Sequence, residues 1–410
     1  MSQSLDLDRA SIESIEAALE NREVLLPAEA SALRDRAAEL LLAEPKQAAR
    51  IADLLLEHSR RSPVDHELAA IAWRCRAEAS IYLGQLEAAA EGYRIAAGKA
   101  KRSGDALLHA RILVGRIGVA TAMGDHKQHR RWSARAESIL RRHQDETYLT
   151  KLHMNLGAAE FHRERYEVAY AHYRDALAAM GDRPDDPTWI MVHNNLGVLC
   201  TETSRIPEAR RHFLIAEESA EALGLDHLVA HARFDRSFLE VLLGNYRAAL
   251  QLLETASEQF EKLEATDLRA SCHLANAKIY LDLGMAREAI ELARSAGTLF
   301  AQEGKLLDAA VADLRLAGAF LSARRFRSAL DSLERAELFY RSQRIRPRVA
   351  QVLLARSEIA LAHGDFAEAF RCGQDALRMF ESLDLVRPRV QAQQIVAEAE
   401  LGLGRVRAAA

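Results

Sequence analysis

The sequence has little proline and cysteine, and it lacks any long apolar run. Only 8 of its 410 residues are proline, so few helices would be interrupted. No stretch of 18 apolar residues predicts a membrane span, and the first residues lack the basic region and apolar run of a signal peptide. Four cysteines, far apart in apolar stretches, suit reduced thiols; they are Cys75, Cys200, Cys272 and Cys372. The sequence therefore predicts a soluble, cytoplasmic protein.

The chain also lacks a large net charge of either sign. Its 55 Lys and Arg stand against 59 Asp and Glu, which gives a formal net charge of −4. No global basic field therefore attracts nucleic acid or an anionic membrane. Neither is predicted as a partner.

Sequence motifs of catalysis are missing as well. We find no phosphate loop, no dinucleotide fingerprint and no paired cysteines with metal-binding spacing. Cys272 and His273 are adjacent in sequence, but consecutive residues of a helix point about 100° apart and cannot form a nucleophile and base pair directly. We therefore predict no catalytic residue, no cofactor and no metal, and we expect this chain not to be an enzyme.

What the sequence does contain is a period of forty residues. One position in each forty-residue unit serves as a reference. Alanine occurs five and twelve residues after nearly every one of these reference positions, and a small residue occurs seven residues before nearly every one. Such small residues let two helices approach closely, so each unit is predicted to be a helical hairpin that stacks on its neighbours. We call these reference positions the turn positions: Gly84, Gly124, Glu164, Ser204, Gly244, Gly284, Arg324, Gly364 and Gly404.

Two segments carry a family resemblance. NLGAAEFHRERYEVAYAHYRDALAAM and NNLGVLCTETSRIPEARRHFLIAEESA resemble tetratricopeptide (TPR) repeats, although the unit has forty residues rather than the common thirty-four. The resemblance implies an all-α fold, a TPR-type α-solenoid in which helical hairpins form a right-handed superhelix. We expect an N-terminal capping helix in residues 1–29 and a tandem array in residues 30–410, with about nine and a half repeats and the last one incomplete.

In TPR proteins the first helix of each hairpin lines a concave groove, and this resemblance implies a protein or peptide ligand there. Asn155 and Asn195 occupy equivalent places, where they either bond the backbone of an extended peptide or bridge adjacent repeats. Asp235 stands where the two-carboxylate clamp of chaperone-binding TPR domains would need a cation, so an acidic C-terminal tail is not the expected ligand. The full set of predicted binding residues is Lys151, Asn155, Phe161, Asn194, Asn195, His231, Phe234, Asp235 and Lys278.

A narrower resemblance concerns the style of the repeats. ANAKIYLDLGMAREAIELARSAGTLF looks like the arrays that precede CHAT peptidase domains in bacteria, which suggests a sensor coupled to a caspase-like protease. The alternative is a TPR signalling regulator, resembling quorum-peptide receptors or the helical domains of transcription activators.

The end of the array adds one expectation. After Gly404 no complete second helix follows, so the apolar residues of the last first helix would be uncovered; these are Val390, Ile395, Val396 and Leu401. We therefore expect a CHAT domain or a partner chain at this end.

Overall fold

The computed structural model describes residues 13–15, 19, 25–61, 64–125 and 129–404, and it contains helices and turns but no strand in these ranges. Strong helix formers dominate the sequence, and the apolar residues recur at helical spacing. The helices of the described ranges are α1 (Pro27–Ala43), α2 (Pro45–Arg61), α3 (His66–Tyr82), α4 (Leu86–Ser103), α5 (Ala106–Met123), α6 (His129–Arg142), α7 (Glu146–His162), α8 (Tyr166–Met180), α9 (Pro187–Glu202), α10 (Ile206–Ala222), α11 (Asp226–Leu242), α12 (Tyr246–Lys262), α13 (Thr266–Asp282), α14 (Ala286–Gln302), α15 (Leu306–Ser322), α16 (Phe326–Ser342), α17 (Arg346–His363), α18 (Phe366–Leu383) and α19 (Val386–Gly402).

These helices confirm the predicted all-α solenoid of TPR type. Odd-numbered helices are the first helices of hairpins and even-numbered helices are the second. The turn positions from Gly84 to Gly364 fall between the two, and Gly404 follows α19 at the end of the described residues. The backbone is left-handed even where the turn position is not glycine, with φ of 60° at Glu164, 56° at Ser204 and 55° at Arg324. A residue in the left-handed conformation ends the first helix and turns the chain toward the second. These three residues adopt that conformation although their side chains make it less favourable than it is for glycine.

The small residues seven before the turn positions have a direct packing reason. A Cβ placed on Gly157 would lie 2.6 Å from the ring of Tyr173, and one on Gly197 would lie 2.7 Å from the ring of Phe213. Both rings come from the second helix of the same hairpin. Close approach of the two helices therefore depends on the missing side chain.

The chain divides into two compact units, residues 1–155 and 156–410, with the division inside α7. The core of unit 1 includes Leu33, Ile51 and Leu55. The predicted capping helix lies mostly outside the described residues, but Ile15 and Leu19 are buried in this same core. Four of the apolar clusters of unit 2 each hold a buried aromatic ring of a second helix: Phe213, Phe260, Phe300 and Phe380.

Within the described part of the chain, one helix, α5, is long and apolar enough to cross a membrane, and 56% of its apolar window is buried inside the protein. Ile112 and Ile117 are fully buried in unit 1. A core helix of a folded domain can be equally long and apolar. Since α5 packs between α4 and α6, it is arranged as a core helix of unit 1.

At the other end of the array, α19 is covered more than we expected. Val390 and Leu401 are 55% and 53% exposed. Ile395 is only 6% exposed, because it packs on Leu354 of α17 and Phe380 of α18. The expectation that Ile395 would be uncovered is therefore wrong: the preceding hairpin buries this face of α19.

Candidate functional site

In unit 1, three basic side chains from three successive first helices meet around one tyrosine. Arg74 of α3 places Nη1 3.5 Å from the hydroxyl of Tyr148. The guanidinium of Arg111, from α5, lies 5.1 Å from the centre of the Tyr148 ring. The ammonium of Lys151, one turn along α7, lies at the same distance of 5.1 Å. We call these four residues the Tyr148 site.

Carboxylates balance part of this positive charge. Nε of Arg74 lies 3.5 Å from Glu78, and Nε of Arg111 donates to Asp145 at 2.8 Å. Asp145 also accepts a hydrogen bond from the backbone N–H of Tyr148 at 3.1 Å, which helps to satisfy the first turn of α7. Lys151 is exposed, and within the described ranges it has no carboxylate partner. The Tyr148 site therefore has one more positive charge than negative charge beside an aromatic ring.

Asn155 lies next to this site but makes an internal contact. Its Nδ2 donates to the carbonyl oxygen of Val114 in α5 at 3.1 Å. The amide also faces Gly118, where a Cβ would lie 3.4 Å from Nδ2. This geometry favours the bridging interpretation, while a role in ligand binding stays a prediction.

In unit 2, two of the predicted residues are in direct contact. Nδ2 of Asn194 in α9 donates a short hydrogen bond to Oδ2 of Asp235 in α11. Burial raises the pKa of Asp235 to about 6, although the hydrogen bond from Asn194 opposes this effect. Oδ1 of Asn194 is buried and has no hydrogen-bond partner in the described part of the chain. Asn194 and Asp235 thus connect neighbouring repeats, and the Oδ1 atom of Asn194 remains a buried acceptor without a hydrogen bond within the described residues.

The aromatic residues predicted for unit 2 are engaged in packing. Phe234 makes an edge contact with Phe238, with ring centres 5.4 Å apart, and it packs against two buried clusters. His231 makes a similar contact with the buried ring of Phe260 at 5.4 Å. Phe161 stacks edge-on against Tyr166 at 5.7 Å. These rings support the hairpins, which leaves less of their surface for a ligand.

Lys278 and Asn195 complete the predicted set, and both are half-buried on first helices of unit 2. All of the predicted residues lie on the first helices α7, α9, α11 and α13, and their role in binding stays a prediction. The structure brings Asn194 to Asp235 and Lys151 to Tyr148.

Sequence reasoning missed three members of the Tyr148 site. Arg74, Arg111 and Tyr148 each lie on a first helix, and basic residues recur ten or thirteen positions before the turn positions in three consecutive repeats. The position that argues against a cationic clamp, Asp235, lies in a different repeat.

The four cysteines are free and buried, as expected from their apolar surroundings. Cys272 is fully buried, and burial raises the pKa of its thiol to about 12. Nδ1 of the adjacent His273 instead lies 3.2 Å from the hydroxyl of Ser295. A protonated, inaccessible thiol is a poor nucleophile, so Cys272 and His273 do not form a catalytic pair.

No protein-family model and no curated protein matches this sequence. Solved structures do match it. A Rap protein in complex with Competence and Sporulation Factor superposes with a TM-score of 0.58 at 15% identity, over 93% of this chain and 94% of that one. Aspartyl phosphate phosphatase F from Bacillus subtilis superposes with a TM-score of 0.51 at 12% identity, over 89% of this chain and 96% of that one. These likenesses concern the fold, and they support the TPR-type helical repeat.

Proposed function

We propose that this chain is a non-catalytic TPR-type module that binds a segment of a protein or a peptide. The observation that carries the proposal is the Tyr148 site, which three first helices build together. A carboxylate is the group that fits there, because the exposed Lys151 and the half-buried guanidinium of Arg111 offer N–H donors beside an aromatic face, while the buried Arg74 adds positive charge behind them. We infer that an acidic side chain or a terminal carboxylate of the ligand is recognised in unit 1.

This proposal revises the ligand chemistry expected from the sequence. Asp235 in unit 2 argued against an acidic ligand, but that residue is bonded to Asn194 and belongs to another part of the array. The extra positive charge is in unit 1 at Lys151. A short acidic peptide would contact unit 1 without needing a cation at Asp235.

Of the two narrower hypotheses, the signalling regulator has the better support. The Rap structure holds Competence and Sporulation Factor, so a protein of this fold, similar along nearly its whole length, binds another molecule. By analogy of fold alone, we propose that this chain binds a peptide or protein signal in a regulatory role.

The coupling to a CHAT peptidase is a separate proposal, and the repeat style of residues 275–300 is what supports it. It is tested by mixing this chain with a CHAT peptidase encoded beside its gene. Co-elution of the two proteins and a change in the proteolytic rate are expected, and failure to co-elute would contradict the coupling.

The binding proposal is tested by selecting short random peptides on the immobilised full-length chain and measuring their affinity by fluorescence anisotropy. The selected peptides should be enriched in Asp and Glu. Lys151→Ala should weaken their binding about 10-fold or more, because a lost charge-assisted hydrogen bond costs about 1.5 to 3 kcal/mol. Tyr148→Ala should weaken it as well.

The matched control is Lys101→Ala, which removes another exposed lysine of unit 1 from a second helix, α4. Affinity should be unchanged in this variant. Equal losses in Lys101→Ala and Lys151→Ala would show a general charge effect, and the absence of any enriched peptide would contradict the proposal.

A further inference from the structure

Within unit 2, two turns far apart in sequence are in contact. Nη2 of Arg163, in the turn between α7 and α8, lies 3.3 Å from Oδ2 of Asp384, a residue 221 positions later in the turn between α18 and α19. Arg165 donates a short hydrogen bond to the same carboxylate oxygen. The first and last hairpins of this unit are therefore joined by ion pairs.

Arg387 makes the second half of this contact. Its backbone N–H donates to Oε2 of Glu164 at 2.7 Å, and its guanidinium donates to the carboxylate of Glu202 at 2.9 Å and lies 5.2 Å from the ring centre of Tyr166. Arg387 is the second residue of α19, whose N-cap residue Leu385 offers no side-chain acceptor. Glu164 therefore caps this helix from a distant repeat.

The charges on the two sides are complementary and alternate in sign. Arg163 and Arg165 face Asp384, while Glu164 and Glu202 face Arg387. The ion pairs within this group hold the pKa of the Asp384 carboxyl below its usual range, and hydrogen bonding from Arg165 is the largest cause. We call these six residues the clasp.

Most of the clasp is open to solvent, although the Arg163 side chain is only 18% exposed. The side chains of Arg165, Asp384, Arg387 and Glu202 are 46%, 55%, 57% and 43% exposed. Ion pairs at this exposure are weak one by one and are screened by salt. A contact of this kind holds two parts of a molecule together and still lets them separate.

We propose that the clasp is a conformational device that keeps the first and last hairpins of unit 2 together and releases them when its charges are screened or removed. It does not depend on which ligand the chain binds. Since a solenoid is held by contacts between neighbouring repeats, opening the clasp changes the spacing of distant hairpins and leaves each hairpin folded.

The test is a distance measurement between spin labels on the full-length chain. Ala171→Cys in α8 and Gln393→Cys in α19 place labels on exposed positions of the first and last hairpins, outside the clasp. The native cysteines are buried, so the unsubstituted chain serves as the labelling control. At low ionic strength we expect one short distance.

Asp384→Ala with Arg387→Ala should raise the ratio of long to short distances about 10-fold, as expected for losing several exposed ion pairs. Salt at about 1 M, where the Debye length is about 3 Å, should also raise the ratio of long to short distances in the chain whose clasp is unsubstituted. Arg387→Lys, which keeps the charge and the backbone N–H, should retain the short distance. Helicity should not change in any of these samples.

The matched control is Arg371→Ala, because the ion pair of Arg371 with Glu368 lies within α18 and joins no distant repeats. This variant should keep the short distance. An unchanged distance in both the double variant and high salt would overturn the proposal, since packing between neighbours alone would then hold the hairpins. If the double variant failed to fold, the salt titration would decide by itself.

Discussion

Two glycines of first helices should respond in opposite ways to the same substitution. Gly197 in α9 faces the fully buried ring of Phe213, and a Cβ at this position would lie 2.7 Å from two ring carbons. Gly318 in α15 has no heavy atom within 4 Å of the corresponding Cβ position. Gly→Ala therefore produces a steric conflict in one helix and none in the other.

The expected magnitudes follow from these distances. Alanine is favoured over glycine inside a helix by about 1 kcal/mol, so Gly318→Ala should stabilise unit 2 by roughly that amount. At Gly197 the same gain is opposed by overpacking, which costs about 1 to 3 kcal/mol in a well-packed core. Gly197→Ala should thus be about 1 to 3 kcal/mol less stable than Gly318→Ala.

Urea unfolding followed by tryptophan fluorescence measures this difference. Trp189, which is 9% exposed in α9, lies in unit 2, while the other two of the 3 tryptophans, Trp73 and Trp132, lie in unit 1. Both variants are made on a Trp73→Phe, Trp132→Phe background so that only unit 2 is observed. Equal midpoint shifts in the two variants would refute the close-approach explanation of the small residues.

Two further predictions concern single side chains. Asn155→Ala should lower the free energy of unfolding of unit 1 by about 0.5 to 1.5 kcal/mol, because it removes the hydrogen bond to the Val114 carbonyl; an unchanged urea midpoint of Trp73 and Trp132 fluorescence would argue against bridging. Burial, the nearby His212 and Arg211 lower the pKa of His193 to about 4. The unfolded chain therefore binds a proton near pH 6.5 that the folded chain does not, and stability should fall by up to about 3 kcal/mol as the pH drops from 6.5 to 4. His193→Gln should reduce this loss in urea titrations at several pH values, and parallel curves for the two proteins would contradict the assignment.

The hairpins could be predicted from sequence because their contacts are local and repeat. Nearly every turn position has a small residue seven positions before it and alanines five and twelve positions after it, with Ile117 and His129 as the exceptions. Those spacings depend only on the packing of two helices within one repeat. A second series of turns, between hairpins, was not predicted. Its left-handed residues include Gln144, Glu264 and Arg344, with φ between 53° and 55°. Glycine occupies the equivalent place at Gly104, Gly224 and Gly304, but polar residues occupy it elsewhere, so the sequence shows only part of this second series.

The Tyr148 site was harder to predict for a different reason. Whether Arg74 and Arg111 approach Tyr148 depends on how three first helices are set side by side, and long basic side chains reach across that distance in many directions. The forty-residue period correctly predicted that Lys151 and Asn155 lie on a first helix, because the period determines where each first helix begins and ends. It could not show which neighbouring residue each side chain would contact.

The clasp lies beyond what a repeat period can predict. A period determines how each hairpin packs on the next one, and small rotations between hairpins then add up along the array. Whether Asp384 meets Arg163 depends on that accumulated rotation over the hairpins of unit 2, to which every interface contributes. The accumulated rotation is sensitive to each interface between hairpins. A few exposed ion pairs in the clasp are therefore enough to favour one arrangement of the first and last hairpins of unit 2. That is the physical reason why charges of low individual strength can control the spacing of distant hairpins here, while the buried residues within each hairpin determine only that the hairpin forms.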